Sequence, residues 1–377
     1  MGKRFLVAIH CKTINYVGYG DYLTMNQLLD KIHGSLLGGM IGDAMGAPGE
    51  GLTYGEIQDK YGPEGITDFR GLGTDDTAVK HQLLSAIFKS EGYPNVDAFA
   101  QSFIDYRDQN YRLWFISVKN AFHKFSEGLS VPAYAGWGNM QSSSTAMAIS
   151  PMGIINAGNP RQASLETQEI ASLIHNGPTG FCRDAACVIA AAVAAAFKPS
   201  ITIKEVIETS YKHLAPLSSK ILLELISNAL ALAEREGTYE KFRQSYYESS
   251  LRPVLCDSRE TLPATLAILY LSNGSPRKAI TYAANFGRDA DTIGAMVGGI
   301  VGALHGVSGL PQEWVEKASN VSTSETDYSK PQYGTGDKPL DLSGFNYVDI
   351  AKQLQGVIQR RQEDLGEVSE MLTNMNQ

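Results

Sequence analysis

The chain has 377 residues, of which 43% are hydrophobic and 19% are charged, so it holds ample material for a buried core. These proportions exclude a disordered, collagen-like or low-complexity chain. With 32 Lys and Arg against 40 Asp and Glu, the net charge of −8 argues against non-specific nucleic-acid binding and leaves small anionic ligands open.

From its first residues we expect no secretory signal peptide. Its basic first residues are followed by a short apolar run, residues 5–9, which is too short for a secretory signal peptide. The longest apolar stretches, residues 185–197 and 293–304, fall short of the roughly 18 residues of a membrane span, so we expect core helices and no membrane partner. Four cysteines without a CxxC pair indicate neither a disulfide framework nor a zinc ribbon, and favour a reducing, cytoplasmic location.

The pattern of residues changes near residue 28. Residues 1–27 are rich in β-branched and aromatic side chains and predict a short N-terminal arm. Residues 28–320 show helical patterns separated by short Gly, Pro and Asn breaks, among them 31–45, 77–90, 184–198 and 293–305. Since neither βαβ alternation nor a repeat of 20–50 residues occurs, we predict one all-α domain over 28–320.

Two further segments complete the chain. Residues 321–345 are polar and predict a linker loop, and residues 346–377 predict an amphipathic helix with apolar residues near helical spacing. That helix either packs back onto the domain, which we favour, or pairs with a partner chain, in which case it would support a homo-oligomer.

The first acidic cluster is the run GTDDT at residues 73–77, directly before a helical pattern. Adjacent carboxylates repel each other, and carboxylates next to hydroxyls are the hard oxygen ligands that Mg²⁺, Mn²⁺ or Ca²⁺ prefers. The alternative is helix capping, because Thr and Asp are common N-cap residues.

A second cluster, GRDADT at residues 287–292, again precedes a long apolar helix. If the two turns meet in space, they offer four carboxylates and two threonines, enough for a pair of hard cations. The repetition favours the metal interpretation over capping. The glycines that follow in residues 294–306 destabilise a helix, so we expect neighbouring helices to approach closely there.

Two single residues are further candidates. Glu50 follows Pro48 in a loop and is either a ligand or general base, or a solvated loop glutamate. His175 ends a helical pattern next to Asn176 and Gly177, and either faces a ligand or caps the helix C-terminus.

Three segments together resemble the ADP-ribosylglycohydrolase family: residues 34–50 (GSLLGGMIGDAMGAPGE), 73–77 and 285–306 (NFGRDADTIGAMVGGIVGALHG). The resemblance runs from about residue 31 to 315, in the order of the family. It implies a compact, single-domain orthogonal helical bundle, an all-α fold built around a binuclear metal site.

The resemblance also implies a ligand set and a chemistry. Two Mg²⁺ or Mn²⁺ ions would be held by six residues: Thr74, Asp75, Asp76, Asp289, Asp291 and Thr292. Glu50, Asp75 and Asp291 would be the catalytic residues. In such enzymes the ribose diol of the substrate lies at the metals, and a metal-associated water completes hydrolysis of the bond at the anomeric carbon.

One loop departs from the pattern of the family, which often carries Asn-Gly-Ala-x-Met-Arg before a Pro-Gly turn. Residues 142–148 read SSSTAMA, so serines replace Asn-Gly and Ala148 stands at the position of the arginine. Arg288 stands where glycine is commoner. The candidate substrate-binding residues are Ser143, Ser144, Thr145, Met147, His175 and Arg288.

We therefore predict a metal-dependent hydrolase that releases ADP-ribose from a small-molecule or protein-linked ADP-ribosyl substrate. One alternative is a hydrolase of another N- or O-riboside at the same binuclear site, which the altered loop motivates. The other is a catalytically silent protein that binds ADP-ribose.

Overall fold

The computed structural model of the chain describes residues 26–320 and 346–375. The predicted linker, residues 321–345, lies outside the described residues, as does the predicted N-terminal arm apart from its last two residues. Both remain predictions.

The described residues form eighteen α-helices and no β-strand, which confirms the all-α prediction. In chain order these helices are α1 Gln27–Gly46, α2 Tyr54–Tyr61, α3 Asp75–Lys89, α4 Val96–Asp105, α5 Arg107–Asn110, α6 Ile116–Ser126, α7 Pro132–Ala135, α8 Ser150–Ile155, α9 Pro160–Ser172, α10 Gly180–Ala196, α11 Ile203–Ser210, α12 Lys220–Glu236, α13 Tyr239–Ser249, α14 Ser258–Leu271, α15 Pro276–Ala284, α16 Ala290–His305, α17 Gln312–Asn320 and α18 Tyr347–Met375.

Helices α1 and α16 pack antiparallel through the centre of the molecule, with nearly every residue buried. Their backbones meet at glycines. A Cβ atom added at Gly42 would lie 2.0 Å from the carbonyl oxygen of Gly294, and one added at Gly298 would lie 2.0 Å from that of Gly38. These distances confirm the predicted close approach, and they place the C-terminal end of α1 beside the N-terminal end of α16.

Helix α10 is the most apolar element beside this pair. The stretch Gly177–Ala196 is long and apolar enough to cross a membrane by length and composition, but 83% of its apolar window is buried within the protein. Such burial is typical of a core helix, and α10 packs against α8, α9 and α16.

The first half of α18 packs against α1 through a buried apolar face that includes Ile350, Leu354 and Ile358. The face ends at Arg361, whose guanidinium lies 2.6 Å from the carboxylate of Glu166 on α9 and donates to the carbonyl of Gly92. Intramolecular packing, the favoured interpretation of this helix, therefore holds for its first half.

Candidate metal centre

Both predicted acidic clusters lie at helix N-termini. Thr74 is the N-cap of α3, and Asp75 and Asp76 occupy its first turn; Asp289 is the N-cap of α16, and Asp291 lies in its first turn. The unpaired N–H groups and the partial positive charge of a helix N-terminus favour carboxylates at these positions. The capping alternative thus accounts for part of the geometry, but not for the burial of several carboxylates together.

Glu50 joins the second cluster because of how α1 ends. A 3₁₀ turn at Ala47–Gly49 carries the chain away from α1 and leaves Glu50 half-buried at the start of the next loop. Two backbone hydrogen bonds, Gly51 N to Arg288 O (2.8 Å) and Arg288 N to Leu52 O (2.7 Å), tie this loop to the turn before α16.

As a result, one carboxylate oxygen from each of Glu50, Asp289 and Asp291 lies within 4.8 Å of the others. Carboxylate oxygens at this spacing are suited to a shared hard cation.

The clusters also interact with each other. Burial and then the carboxylates of Glu50 and Asp43 raise the pKa of Asp75 to about 8. Burial, followed by neighbouring carboxylates that include Asp289, raises the pKa of Asp76 well above its usual range. For Asp291 the pKa is raised by burial, then by Glu50 and Asp76. The carboxylates of the two helix N-termini are therefore close enough to raise one another's pKa.

The donor set fits a divalent cation. Asp76 Oδ2 and Asp289 Oδ2 are buried and have no hydrogen-bond partner within residues 26–320 and 346–375. A buried, unpaired carboxylate oxygen is costly unless a cation or a proton compensates it. Thr74 and Thr292, the two predicted hydroxyl ligands, are buried in the same turns.

Asp43, on α1, is a structural residue that the sequence did not single out as a ligand. Its fully buried carboxylate accepts hydrogen bonds from the backbone N–H of Thr74 (2.9 Å), from that of Thr77 (3.1 Å) and from the Thr77 hydroxyl (2.6 Å). These bonds fix the N-terminal turn of α3 to α1. The signal in the sequence was a lone acid inside the apolar run of residues 34–47.

Lys80 is a second residue that the sequence did not indicate. Its side chain is fully buried one turn after Asp76, and its ammonium has no hydrogen-bond partner in the part of the chain that the structure describes. Burial lowers the pKa of Lys80, and the carboxylates of Asp43 and Asp76 act in the opposite direction. Lys80 therefore lies within electrostatic range of the acidic cluster, next to Asp43 and Asp76.

The candidate substrate loop forms a buried polar network. The Ser142 hydroxyl lies 3.0 Å from His175 Nε2 and 2.9 Å from the hydroxyls of Ser117 and Ser144, and Thr145 Oγ1 lies 2.9 Å from His175 Nδ1. His175 is fully buried, and burial lowers its pKa to about 3. Its ring is therefore neutral near pH 7 and held on both sides by hydroxyls, beyond the end of α9.

Ser143 and Met147 are buried in the same loop. The Ser143 hydroxyl lies 2.5 Å from Thr261 Oγ1 and donates to the carbonyl of Cys256 at 3.1 Å, while Met147 is 4% exposed. The side chains that replace the Asn-Gly of the family pattern are thus engaged within the protein.

Arg288 adopts a left-handed backbone conformation with φ of +61°. Its guanidinium forms an ion pair with the buried carboxylate of Glu260, with Nε–Oε1 at 2.9 Å and Nη2–Oε2 at 3.0 Å. A protein carboxylate therefore pairs with this guanidinium.

Comparison with known proteins agrees with this architecture. The family model described as ADP-ribosylglycohydrolase matches residues 24–333. The chain is 29% identical over 311 residues to ADP-ribosylarginine hydrolase Tri1 of Pseudomonas putida (strain GB-1), covering 79% of this chain and 76% of the relative. It is 24% identical over 306 residues to ADP-ribosyl-[dinitrogen reductase] glycohydrolase of Rhodospirillum rubrum, with 76% and 90% covered.

Two further matches support the same conclusion. ADP-ribosylhydrolase ARH3 of Bos taurus is 24% identical over 335 residues, with 79% of this chain and 91% of the relative covered. A solved structure titled ADP-ribosylglycohydrolase-related protein complex shares the fold with a TM-score of 0.61 at 18% identity, covering 89% of this chain and all of that one. On this evidence the chain belongs to the ADP-ribosylglycohydrolase family, a family of enzymes that hydrolyse glycosyl bonds.

Proposed function

We propose that this enzyme cleaves the anomeric N- or O-glycosidic bond of an ADP-ribosyl adduct and releases ADP-ribose, with divalent cations held in the acidic cluster. The observation that carries the proposal is the meeting of two buried helix N-termini, rich in aspartates, beside Glu50. Membership of the family supports the reaction, and the donor set supports the cation.

Six residues would hold two Mg²⁺ or Mn²⁺ ions: Thr74, Asp75, Asp76, Asp289, Asp291 and Thr292. When bound, such cations supply Lewis acidity that orients a ribose diol and lowers the pKa of a water molecule. Asp75 and Asp291, from opposite helix N-termini, would supply ligands to the cations from both halves of the site. Their full ionisation requires the compensating charge, because burial otherwise favours the protonated forms.

Glu50 is the proposed proton-transfer residue. It lies half-buried at the edge of the cluster, whereas the aspartates beside it are buried. Its loop is tied to the turn before α16, so its carboxylate has a defined position relative to Asp289 and Asp291. A carboxylate beside a developing oxocarbenium-like centre stabilises positive charge and can accept a proton from water.

For the substrate side, we propose that the loop of residues 142–148 adjoins the ADP moiety. Ser143, Ser144, Thr145 and His175 shape this loop from within, since their polar side-chain atoms bond to other protein groups, and Met147 is buried in it. Arg288, anchored on Glu260, is proposed to position the turn that carries Asp289 and to contact the substrate with the part of its side chain that is exposed.

The test is ADP-ribose release, followed by mass spectrometry, from a panel of adducts in Mg²⁺, in Mn²⁺ and in a chelator. ADP-ribosylarginine is the first adduct to use, because the relative from Pseudomonas putida is named for it. We expect metal-dependent release of ADP-ribose from at least one adduct. Binding of ADP-ribose without turnover of any adduct would contradict the proposal and favour a silent binding protein.

A second candidate substrate is another N- or O-riboside. The observation that favours it is the internal engagement of the loop hydroxyls, which leaves fewer donors for a pyrophosphate. Simple ribosides belong in the same panel, and inhibition by ADP-ribose but not by free ribosides would argue against this candidate.

We also propose a cytoplasmic location. The three cysteines among the described residues, Cys182, Cys187 and Cys256, are buried and free, as in a reducing environment.

A further inference from the structure

Helix α18 carries one apolar stripe along its whole length, with residues three and four positions apart. The first half of the stripe is buried against the body of the protein and includes Ala351, Leu354 and Ile358, and Arg361, which pairs with Glu166, occupies the next position. The second half continues the same spacing with Leu365, Val368, Leu372 and Met375. Such 3–4 spacing over several turns is the pattern of a helix that packs against another helix.

Nothing within residues 26–320 and 346–375 covers the second half of the stripe. Its four side chains are 67%, 51%, 51% and 76% exposed, and every residue from 362 to 375 is exposed. These fourteen residues extend from the body for about 21 Å at the rise of an α-helix. Scattered apolar residues are ordinary on a surface, but a continuous stripe marks an interaction site.

The charges of this segment point to the kind of partner. Glu363, Glu367 and Glu370 lie at positions on the side of the helix away from the stripe. Three of the four positions that flank the stripe, Gln362, Ser369 and Met371, are uncharged. The fourth is Asp364, whose carboxylate accepts a hydrogen bond from the hydroxyl of Tyr93 on the body.

A second copy of the chain is a partner with a matching apolar stripe and with mostly uncharged flanks. It presents a stripe of the same length and chemistry, and the two flanks would meet without like-charge repulsion, since the free carboxylates point outward. The segment also contains Gly366, which lowers helix propensity, so burial of the stripe would supply stabilisation that the segment lacks in solvent.

We propose that residues 362–375 pair with the same residues of a second copy, so that α18 is the interface of a homodimer. The helix lies beyond residues 24–333, the part that the family model matches, and the proposed interface uses none of the residues of the proposed reaction.

The test is the molar mass of the full chain by sedimentation equilibrium over a range of concentrations. We expect a reversible dimer in the wild type, and a dissociation constant raised at least about 100-fold in the double variant Leu365→Glu and Leu372→Glu, which places four carboxylates in the apolar seam. The matched control is Thr373→Glu with Asn374→Glu, which adds the same charge to the same segment outside the stripe and should remain dimeric.

Three results would overturn the proposal. These are a wild type that stays monomeric up to its highest soluble concentration, a dimer that survives Leu365→Glu and Leu372→Glu, and dissociation of the control to the same extent. The four substituted residues are all exposed, so the monomeric forms of both variants and of the wild type should have the same unfolding midpoint. This measurement separates loss of the interface from loss of the fold.

Discussion

At the scale of single residues, the acidic cluster is stable only if its charge is compensated. Asp75, Asp76, Asp289 and Asp291 are all at least 92% buried, and burial raises the pKa of each of them. Lys80 acts on Asp76 and Lys119 acts on Asp75, but two lysines are fewer than the carboxylates of the cluster. The remaining compensation must come from protons or from bound cations, and these compete for the same oxygens.

The first prediction follows from this competition. Asp75→Asn and Asp291→Asn should each lower kcat by at least about 100-fold, because a ligand of the proposed cations is lost. Without metal, each variant should be as stable as the wild type or more so, since a buried carboxylate has been neutralised. Turnover and thermal unfolding in a chelator measure the two effects.

The control for that prediction is Asp59→Asn, the same chemical change at an exposed position of α2, which should leave both quantities within error of the wild type. Full activity in Asp75→Asn or in Asp291→Asn would contradict the proposed metal site.

The second prediction concerns the support of the cluster. Thr77→Val removes the hydroxyl that donates to Asp43 at 2.6 Å and leaves a buried carboxylate with one bond fewer. The free energy of unfolding should fall by about 1–3 kcal/mol, measured by urea denaturation. Thr373→Val, at an exposed position, should change it by less than about 0.5 kcal/mol. If Thr77→Val were as stable as the wild type and as Thr373→Val, the hydrogen bond to Asp43 would not contribute to stability.

At the scale of elements, the contact between α1 and α16 determines where the cluster forms. The two helices approach so closely that backbone atoms of one occupy the space of a Cβ on the other. Because they run antiparallel, the last turn of α1 lies beside the first turn of α16, and Asp43 and Glu50 come next to Asp289 and Asp291.

The third prediction tests that contact. Gly298→Ala puts a methyl group 2.0 Å from the backbone oxygen of Gly38, which only a helix displacement can relieve, so the unfolding free energy should fall by about 1–3 kcal/mol or more. Gly356→Ala, where no atom lies within 4 Å, should instead raise it by about 0.5–1 kcal/mol. Chemical denaturation measures both, and a stabilising effect of Gly298→Ala would be inconsistent with the observed packing.

Elements with strong apolar periodicity were predictable from the sequence, and polar ones were not. The patterns at 31–45, 77–90, 184–198 and 293–305 coincide with α1, α3, α10 and α16. Helix α13 was missed because only Tyr239, Phe242, Arg243 and Tyr246 are buried along its eleven residues. Helix α2 was missed as well, and its clearest signal is the capping box between Thr53 and Glu56.

At the scale of the whole molecule, the site joins residues that are distant in the sequence. The acidic runs at 73–77 and 287–292 are recognisable in the local sequence, and their similarity to each other indicated a shared site. The hydrogen bonds of His175 with Ser142 and Thr145, and that of Ser143 with Thr261, depend on how the helices pack. Local sequence carries no sign of them, and a buried Lys80 looks the same in sequence as an exposed lysine.

The fourth prediction links the cluster to the stability of the whole chain. The pKa of an aspartate is about 3.9 in the unfolded state, and that of Asp75 is raised to about 8 in the folded state. Between these two pH values the folded state keeps the proton that the unfolded state has lost. The native state then binds more protons than the unfolded state, so stability in a chelator should fall as the pH rises from 5 to 8. The slope is on the order of 1.4 kcal/mol per pH unit for each retained proton.

Saturating Mg²⁺ or Mn²⁺ should reduce that fall, because the cation replaces the protons and binds the folded state. Unfolding midpoints at several pH values, with and without metal, measure the effect. Stability that rises with pH in the chelator would contradict the burial of ionisable aspartates in the cluster.

The most direct test of the central claim is ADP-ribose release from an ADP-ribosylated substrate by enzyme that has first been stripped with a chelator. We predict that release is lost in the stripped enzyme and returns when Mg²⁺ or Mn²⁺ is added to the wild type, but not when it is added to Asp291→Asn. Undiminished release in the chelator, or full restoration of Asp291→Asn, would contradict it.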